Sequence, residues 1–309
     1  MLPNCPRHVF LGALVLMSCV RSLYAQSGGI EIFAGETLFD QGLRLSESYL
    51  HDYKASVREG SDGAHNSNGR LFEEHRFVTG VDYGALPNLT FSALVPLVYR
   101  EDRTRTTSGT IRRRAHGLGD IAALTKYRIY KRDWEQSTFN LSLIGGLELP
   151  TGGTGQRDNG ARLPPDLQVG SGSWDPFTAV AATVSIGRFR SDAHAFYKLN
   201  AKGAQDYQEG DFFAVEWDLK YRFLHMDYPG PSAGAKIGIQ WRHEQRDRQG
   251  GSHVDNTGSS QLVLRPGLSL HPTPNTDVSL GFDFPVYQYV RGRQLVRDVR
   301  TFFALGIRF

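Results

Sequence analysis

The chain has 309 residues, with 35 Lys+Arg against 32 Asp+Glu, 34 glycines and two cysteines. A net charge of +3 is too small to make nucleic acid the default partner. A mean hydropathy of −0.37 excludes a polytopic helical membrane protein, which needs several runs of about 20 apolar residues. Aromatic content of 11% argues against disorder, which leaves a soluble globular protein or a β-barrel, the one membrane architecture of polar average composition.

At the N-terminus, Arg7 and His8 precede an apolar run from Val9 to Val20 that ends at Leu23-Tyr24-Ala25. A short positive region, an apolar core and a small residue at the cut predict a secretory signal peptide over residues 1–25, too short to serve as a membrane anchor. Leu16-Met17-Ser18-Cys19 loosely resembles a bacterial lipoprotein box, although Met17 fits it poorly. Cleavage after Ala25 removes Cys5 and Cys19, leaving a mature chain (26–309) without thiol chemistry, a Cys metal cluster or disulfides.

From Leu43 onward, runs of about a dozen alternating residues are separated by turns, the mark of strands with one apolar and one polar face. In 211–224, Phe213, Val215, Trp217, Leu219, Tyr221 and Phe223 oppose Glu216, Asp218, Lys220 and Arg222. Strands are expected at 43–54, 71–85, 89–100, 118–130, 138–149, 174–186, 193–202, 211–224, 233–244, 260–271, 277–288 and 296–309. Their connections alternate short and long without exception, as in outer-membrane barrels with periplasmic turns and external loops. The fold expected is therefore all-β: a transmembrane antiparallel up-and-down barrel of about 12 strands, with both termini in the periplasm and the protein in the bacterial outer membrane. The final strand ends in an aromatic, Phe309, resembling the signal read by the barrel-insertion machinery. Pro96 and Pro285 fall near strand ends where bulges are common, Pro266 falls mid-strand, and Glu47 on an apolar face suggests a register break. No plug sequence or periplasmic domain is evident before the first strand, so energy coupling is not expected.

Several patches carry a family resemblance. They are Ala34-Gly35-Glu36-Thr37-Leu38, Val95-Pro96-Leu97, Gly117-Leu118-Gly119-Asp120-Ile121 with Lys126-Tyr127-Arg128, Leu149-Pro150-Thr151-Gly152, and Gly170-Ser171-Gly172-Ser173-Trp174-Asp175. In order and spacing they resemble outer-membrane transporters associated with the meta-cleavage pathway of phenol degradation. That resemblance implies a barrel with a transport or channel role and carries over no catalytic residue.

If the apolar faces meet lipid, the polar faces line the interior. By parity the lumen-lining candidates are Arg76 and Asp82, Arg100, Asp120, Lys126 and Arg128, Lys198 and Lys202, then Glu216, Asp218, Lys220 and Arg222, then Lys236, Arg242 and Glu244, and finally Arg300. These opposite charges either frame a constricted wet passage for small solutes or satisfy one another in a plugged, structural or adhesive scaffold. Basic residues on consecutive strands suit an anionic solute such as an aromatic carboxylate. Neither a cofactor nor a metal is expected, because the polar residues form rows rather than ligand clusters. Expected partners are outer-membrane lipid and lipopolysaccharide, whose phosphates suit Arg103, Arg105, Arg112, Arg113 and Arg114 in an external loop. A lipid hydrolase is the enzymatic alternative. It needs a Ser beside a His on the lipid-facing rim, and no close His-x-Ser pair accompanies His51, His65, His75, His116, His243 or His253.

Overall fold

The computed structural model describes residues 33–309; the expected signal peptide lies outside the described residues. Alternation produces long antiparallel strands: β1 (Leu43–Gly60), β2 (Leu71–Leu86), β3 (Leu89–Thr106), β4 (Gly109–Leu118), β5 (Ala122–Trp134), β6 (Ser137–Glu148), β7 (Asp175–Ile186), β8 (Phe189–Lys198), β9 (Phe212–His225), β10 (Ser232–Glu244), β11 (Ser259–Leu264), β12 (Gly267–Thr273) and β13 (Thr276–Arg308). The strands pair antiparallel in chain order, except that β4 and β5 both pair with β3, and β11 and β12 both lie between β10 and β13. β1 pairs both with β2 (Leu43 opposite Tyr83) and with the end of β13 (Arg44 opposite Arg308), which closes the sheet into a barrel.

Among the described residues the strands make about twelve crossings, because β4 with β5 and β11 with β12 are interrupted single crossings and β13 doubles back. Gly292, at φ +74°, lies at the β13 turn, and a Cβ on Gly306 would meet the Asp277 carboxylate at 2.7 Å, so the two halves lie side by side. Tight turns gather at the end holding Leu43 and Phe309, here called the terminal end; the long connections gather at the opposite, loop end.

The prolines explain the interruptions. Gly119 N donates to Pro96 O at 2.7 Å, so the donor that Pro96 lacks would point at the break between β4 and β5. Pro285 sits at the bulge where Val263 and Leu262 change register against β13. Pro266 sits in continuous register, accepts from Phe282 N at 3.0 Å, and by lacking its own N–H separates β11 from β12. Glu47 marks no break: β1 and β2 stay in register from Leu43 to Lys54, and Thr79 Oγ1 donates to the Glu47 carboxylate at 2.8 Å. The expected loop 101–117 is instead a hairpin, with β3 and β4 continuing beyond the barrel to a turn at Thr106–Gly109. The turn expected over 187–192 is only Gly187-Arg188, so β8 starts four residues early.

The outer surface is apolar. Aromatic residues band each end, with Tyr83, Phe91, Tyr127 and Tyr221 toward the terminal end and Tyr99, Trp241 and Tyr289 toward the loop end, while Val180, Val215 and Ile239 are exposed between them. That arrangement matches a hydrocarbon belt flanked by interfacial girdles. No helix among the described residues is long and apolar enough to cross a membrane.

Candidate functional site

The interior divides into a charged wall and an apolar wall. On the charged side, Asp52 holds Arg297 through two 2.7 Å bonds and Arg300 at 2.8 Å; Arg100 reaches Glu74 at 2.5 Å, and Glu74 also pairs with Arg76. Deeper in, Arg265, 1% exposed, pairs with Asp283 at 2.9 Å and with Glu216, while Lys236 meets Asp218 at 2.8 Å. Toward the terminal end Arg44 bridges Asp82 (3.3 Å) and Asp277 (3.0 Å). Buried charges need such partners, since an isolated one costs several kcal/mol or more.

Arg76, Asp82, Arg100, Asp120, Lys126, Lys198, Glu216, Asp218, Lys236, Arg242 and Arg300 are buried within the barrel, and Arg128, Lys220, Arg222 and Glu244 are half-buried. Lys202 is the exception: β8 stops at Lys198, and Lys202 is exposed in the following connection, paired with Asp206 at 2.5 Å. Sequence reasoning missed Asp192, which joins Arg190 and Lys220 at 2.9 Å each, because the turn was drawn over it. It also missed Arg297: a register shift between Tyr53 and Lys54 opposite 297–299 lets both Arg297 and Arg300 reach Asp52.

The apolar wall was hidden by assuming that every inward position is polar. Leu124, Ile144, Phe177, Phe196 and Phe212 on β5–β9 point inward and pack around Phe33. The segment 33–38 therefore lies inside the barrel, with Phe39–Gln41 exposed at the terminal mouth, which corrects the expectation that no plug precedes the first strand. Phe33 meets Phe196 edge-on with centroids 5.6 Å apart. Gly35 N donates to Thr183 Oγ1 at 2.9 Å, and Ser142 Oγ donates to Gly35 O at 2.7 Å. A Cβ on Gly35 would run into the Asn140 carbonyl, so only glycine lets the segment lie flush on the wall. Glu36 pairs with Arg190 at 2.7 Å.

From the loop end, the connection 149–174 folds inward over Val98, Ala115 and Phe72 through Leu163, Leu167 and Val169. Arg100 donates to Asp166 O (2.8 Å) and Gln168 O (3.2 Å). Asp120 accepts from Gly152 N at 2.8 Å and Ser171 N at 2.7 Å, and Thr151 Oγ1 accepts from Ile121 N at 2.8 Å. Gly152 and Gly170 cross so closely that a Cβ on Gly170 would strike the Gly152 carbonyl. Thus Asp120 anchors a loop, and patches far apart in sequence meet around it. Cavities among the described residues include one of about 450 Å³ at the loop end and two of about 590 Å³ and 320 Å³ at the terminal end.

On the lipid-facing rim, His243 Nδ1 lies 2.8 Å from Ser260 Oγ. The two residues sit directly opposite on β10 and β11, a pairing 17 residues apart that no local motif reveals. Among the described residues no side chain hydrogen-bonds the other ring nitrogen, and no three His, Cys, Asp or Glu groups are placed to hold a metal.

A family model described as "Putative MetA-pathway of phenol degradation" matches residues 69–296. The chain belongs to this family. The match takes in the patches from Val95 to Asp175 that meet at Asp120, while the lumenal segment Ala34–Leu38 precedes it. Among solved structures, the COG4313 outer membrane channel from Pseudomonas putida F1 is similar at 14% identity and TM-score 0.64, covering 89% of this chain and 97% of that one. The β domain of the Bordetella autotransporter BrkA aligns at 9% identity and TM-score 0.47, over 87% and 100% of the two chains. The first likeness places this family member in the fold of outer-membrane barrels. No curated protein matches the sequence.

Proposed function

We propose that the protein is a narrow outer-membrane channel for passive passage of small solutes, anionic and aromatic ones included. The observation that carries this reading is the pair of unfilled interior regions, about 450 Å³ at one end and about 590 Å³ at the other, separated by charged side chains and by residues 33–38 rather than by a continuous apolar core. Water-filled, polar interiors are what channels of this architecture use. The similar Pseudomonas protein bears the name of an outer membrane channel, which supports the reading. Planar-bilayer recording on purified protein tests it, with small discrete current steps expected.

The competing reading is a plugged scaffold, favoured by the apolar packing of Phe33 against Phe177, Phe196 and Phe212. It predicts no steps. A catalytic role is not proposed. The His243–Ser260 contact satisfies a hydroxyl facing lipid, with no side chain among the described residues hydrogen-bonded to the other ring nitrogen to orient the imidazole. Ester hydrolysis by the purified protein, abolished by Ser260→Ala, would reverse that view.

Outer-leaflet lipopolysaccharide phosphates suit the β3–β4 hairpin. Arg103 is already paired with Glu73 and Glu101 at 2.5 Å, and Arg114 with Glu101 at 2.8 Å. Arg105 and Arg112 have no carboxylate in reach among the described residues, and Arg112 lies directly opposite Arg103. The cations of Arg105 and Arg112 suit phosphate oxygens, which guanidinium groups bind in a fork. Phe309, exposed and paired through its backbone with Leu43, suits recognition by the insertion machinery.

A further inference from the structure

The geometry points to an oxyanion-binding cradle at the terminal mouth of the lumen, built on β8, β9, β10 and β12 and sized for one small organic carboxylate or phosphate. This rests on the channel reading and gives it a solute class. The 320 Å³ cavity there is lined by Arg188, Arg190, Lys220, Arg222, His225 and His271, and by no Asp or Glu. The other two large cavities mix both signs, with Asp82 and Asp133 in one and Asp52 and Glu74 in the other.

The charge balance is local and countable. Arg190 and Lys220 share Asp192 at 2.9 Å each, and Arg190 also takes Glu36 at 2.7 Å, so these two cations are matched by two carboxylates just outside the cavity. Arg188 and Arg222 are not: among the described residues neither has a carboxylate within ion-pair distance. They are held side by side, because Arg222 N donates to Arg188 O at 2.9 Å. Adjacent like charges cost free energy that an anion between them recovers, and guanidinium groups match carboxylate and phosphate oxygens in a fork. The floor is open because Gly234 carries no side chain: a Cβ there would already touch Ser269 Oγ at 3.4 Å. A volume of 320 Å³ is at the small end of ligand sites, enough for a single substituted ring and too small for a macromolecule. At a pore mouth, such a site raises the local concentration of anions over cations.

The test is isothermal titration calorimetry on the detergent-solubilised full-length mature protein, with sodium benzoate in one arm and inorganic phosphate in the other. Saturable binding is expected, weakened roughly tenfold or more in Arg188→Ala/Arg222→Ala and unchanged in the loop-end control Arg157→Ala/Arg162→Ala, whose guanidinium groups are exposed and bonded only to backbone carbonyls. Benzoate binding assigns an organic carboxylate, and phosphate binding lost in the same variant keeps the cradle with phosphate as its ligand. No saturable heat with either probe, or binding that survives the double substitution, overturns it. Because binding is read without current, a protein that binds but does not conduct loses the channel reading alone, and one that conducts without binding loses the cradle alone.

Discussion

The Lys126 ammonium donates to the backbone carbonyl oxygen of Glu36 at 2.9 Å, so the barrel wall grips the main chain of the segment inside it. Gly35 is held through its main chain as well, by Thr183 and Ser142. Side-chain changes along the segment therefore leave much of its anchorage intact.

This distinction gives the first prediction. Glu36→Ala removes one half-exposed ion pair with Arg190, worth at most about 1 kcal/mol, and single-channel conductance stays near that of the parent protein. Gly35→Val forces a side chain into the Asn140 carbonyl, costs about 1–3 kcal/mol of overpacking, and pushes the segment off the wall. Larger current steps are expected from Gly35→Val alone.

The loop anchor behaves differently, because one carboxylate does the holding. Asp120→Ala removes two charge-assisted bonds, to Gly152 N and Ser171 N, together worth about 3–6 kcal/mol of loop docking. Gly170→Ala should release the same connection sterically. Limited proteolysis should cut within 153–162 in both variants while the barrel itself stays resistant.

Arg265 tests the charged wall. Its replacement by Leu leaves Asp283 and Glu216 buried without their shared cation, a loss of about 3–5 kcal/mol. Urea unfolding followed by gel mobility should show a lower midpoint for Arg265→Leu, and a far smaller change for Lys131→Leu, whose pair with Asp133 is exposed.

At the loop end, Asp247 accepts from Gly210 N at 2.8 Å and from the Tyr207 hydroxyl. Burial pushes its carboxyl up from the ordinary 3.8 to about 6. A raised acid makes the folded loops bind the proton more tightly than the unfolded chain. Its stabilisation is therefore complete below about pH 4 and is lost as pH rises to about 6. Proteolysis of 245–258 should accelerate between pH 4 and 6, and Asp247→Asn should flatten that dependence.

Much of the barrel was legible because lipid on one side and water on the other impose strict alternation, as in β9, where Trp217 and Tyr221 face out and Glu216 and Asp218 face in. Alternation fails where the interior is not watery. Phe177, Phe196 and Phe212 share their strands' inward faces because Phe33 fills the space before them, and 33–38 has no period of its own to betray it. The Arg-rich hairpin read as loop because its charges mask the alternation of β3 and β4 beyond the membrane. Asp120 stood out by parity, yet its role as a loop anchor depends on Gly152 and Ser171, which only the fold brings to it.

Current through single molecules in a planar bilayer, comparing the parent protein with a variant lacking residues 33–38, addresses the passage most directly. Small steps for the parent and clearly larger steps for the deletion are predicted, with equal heat resistance confirming that both barrels are folded. Folded barrels that carry no current in either form would contradict it.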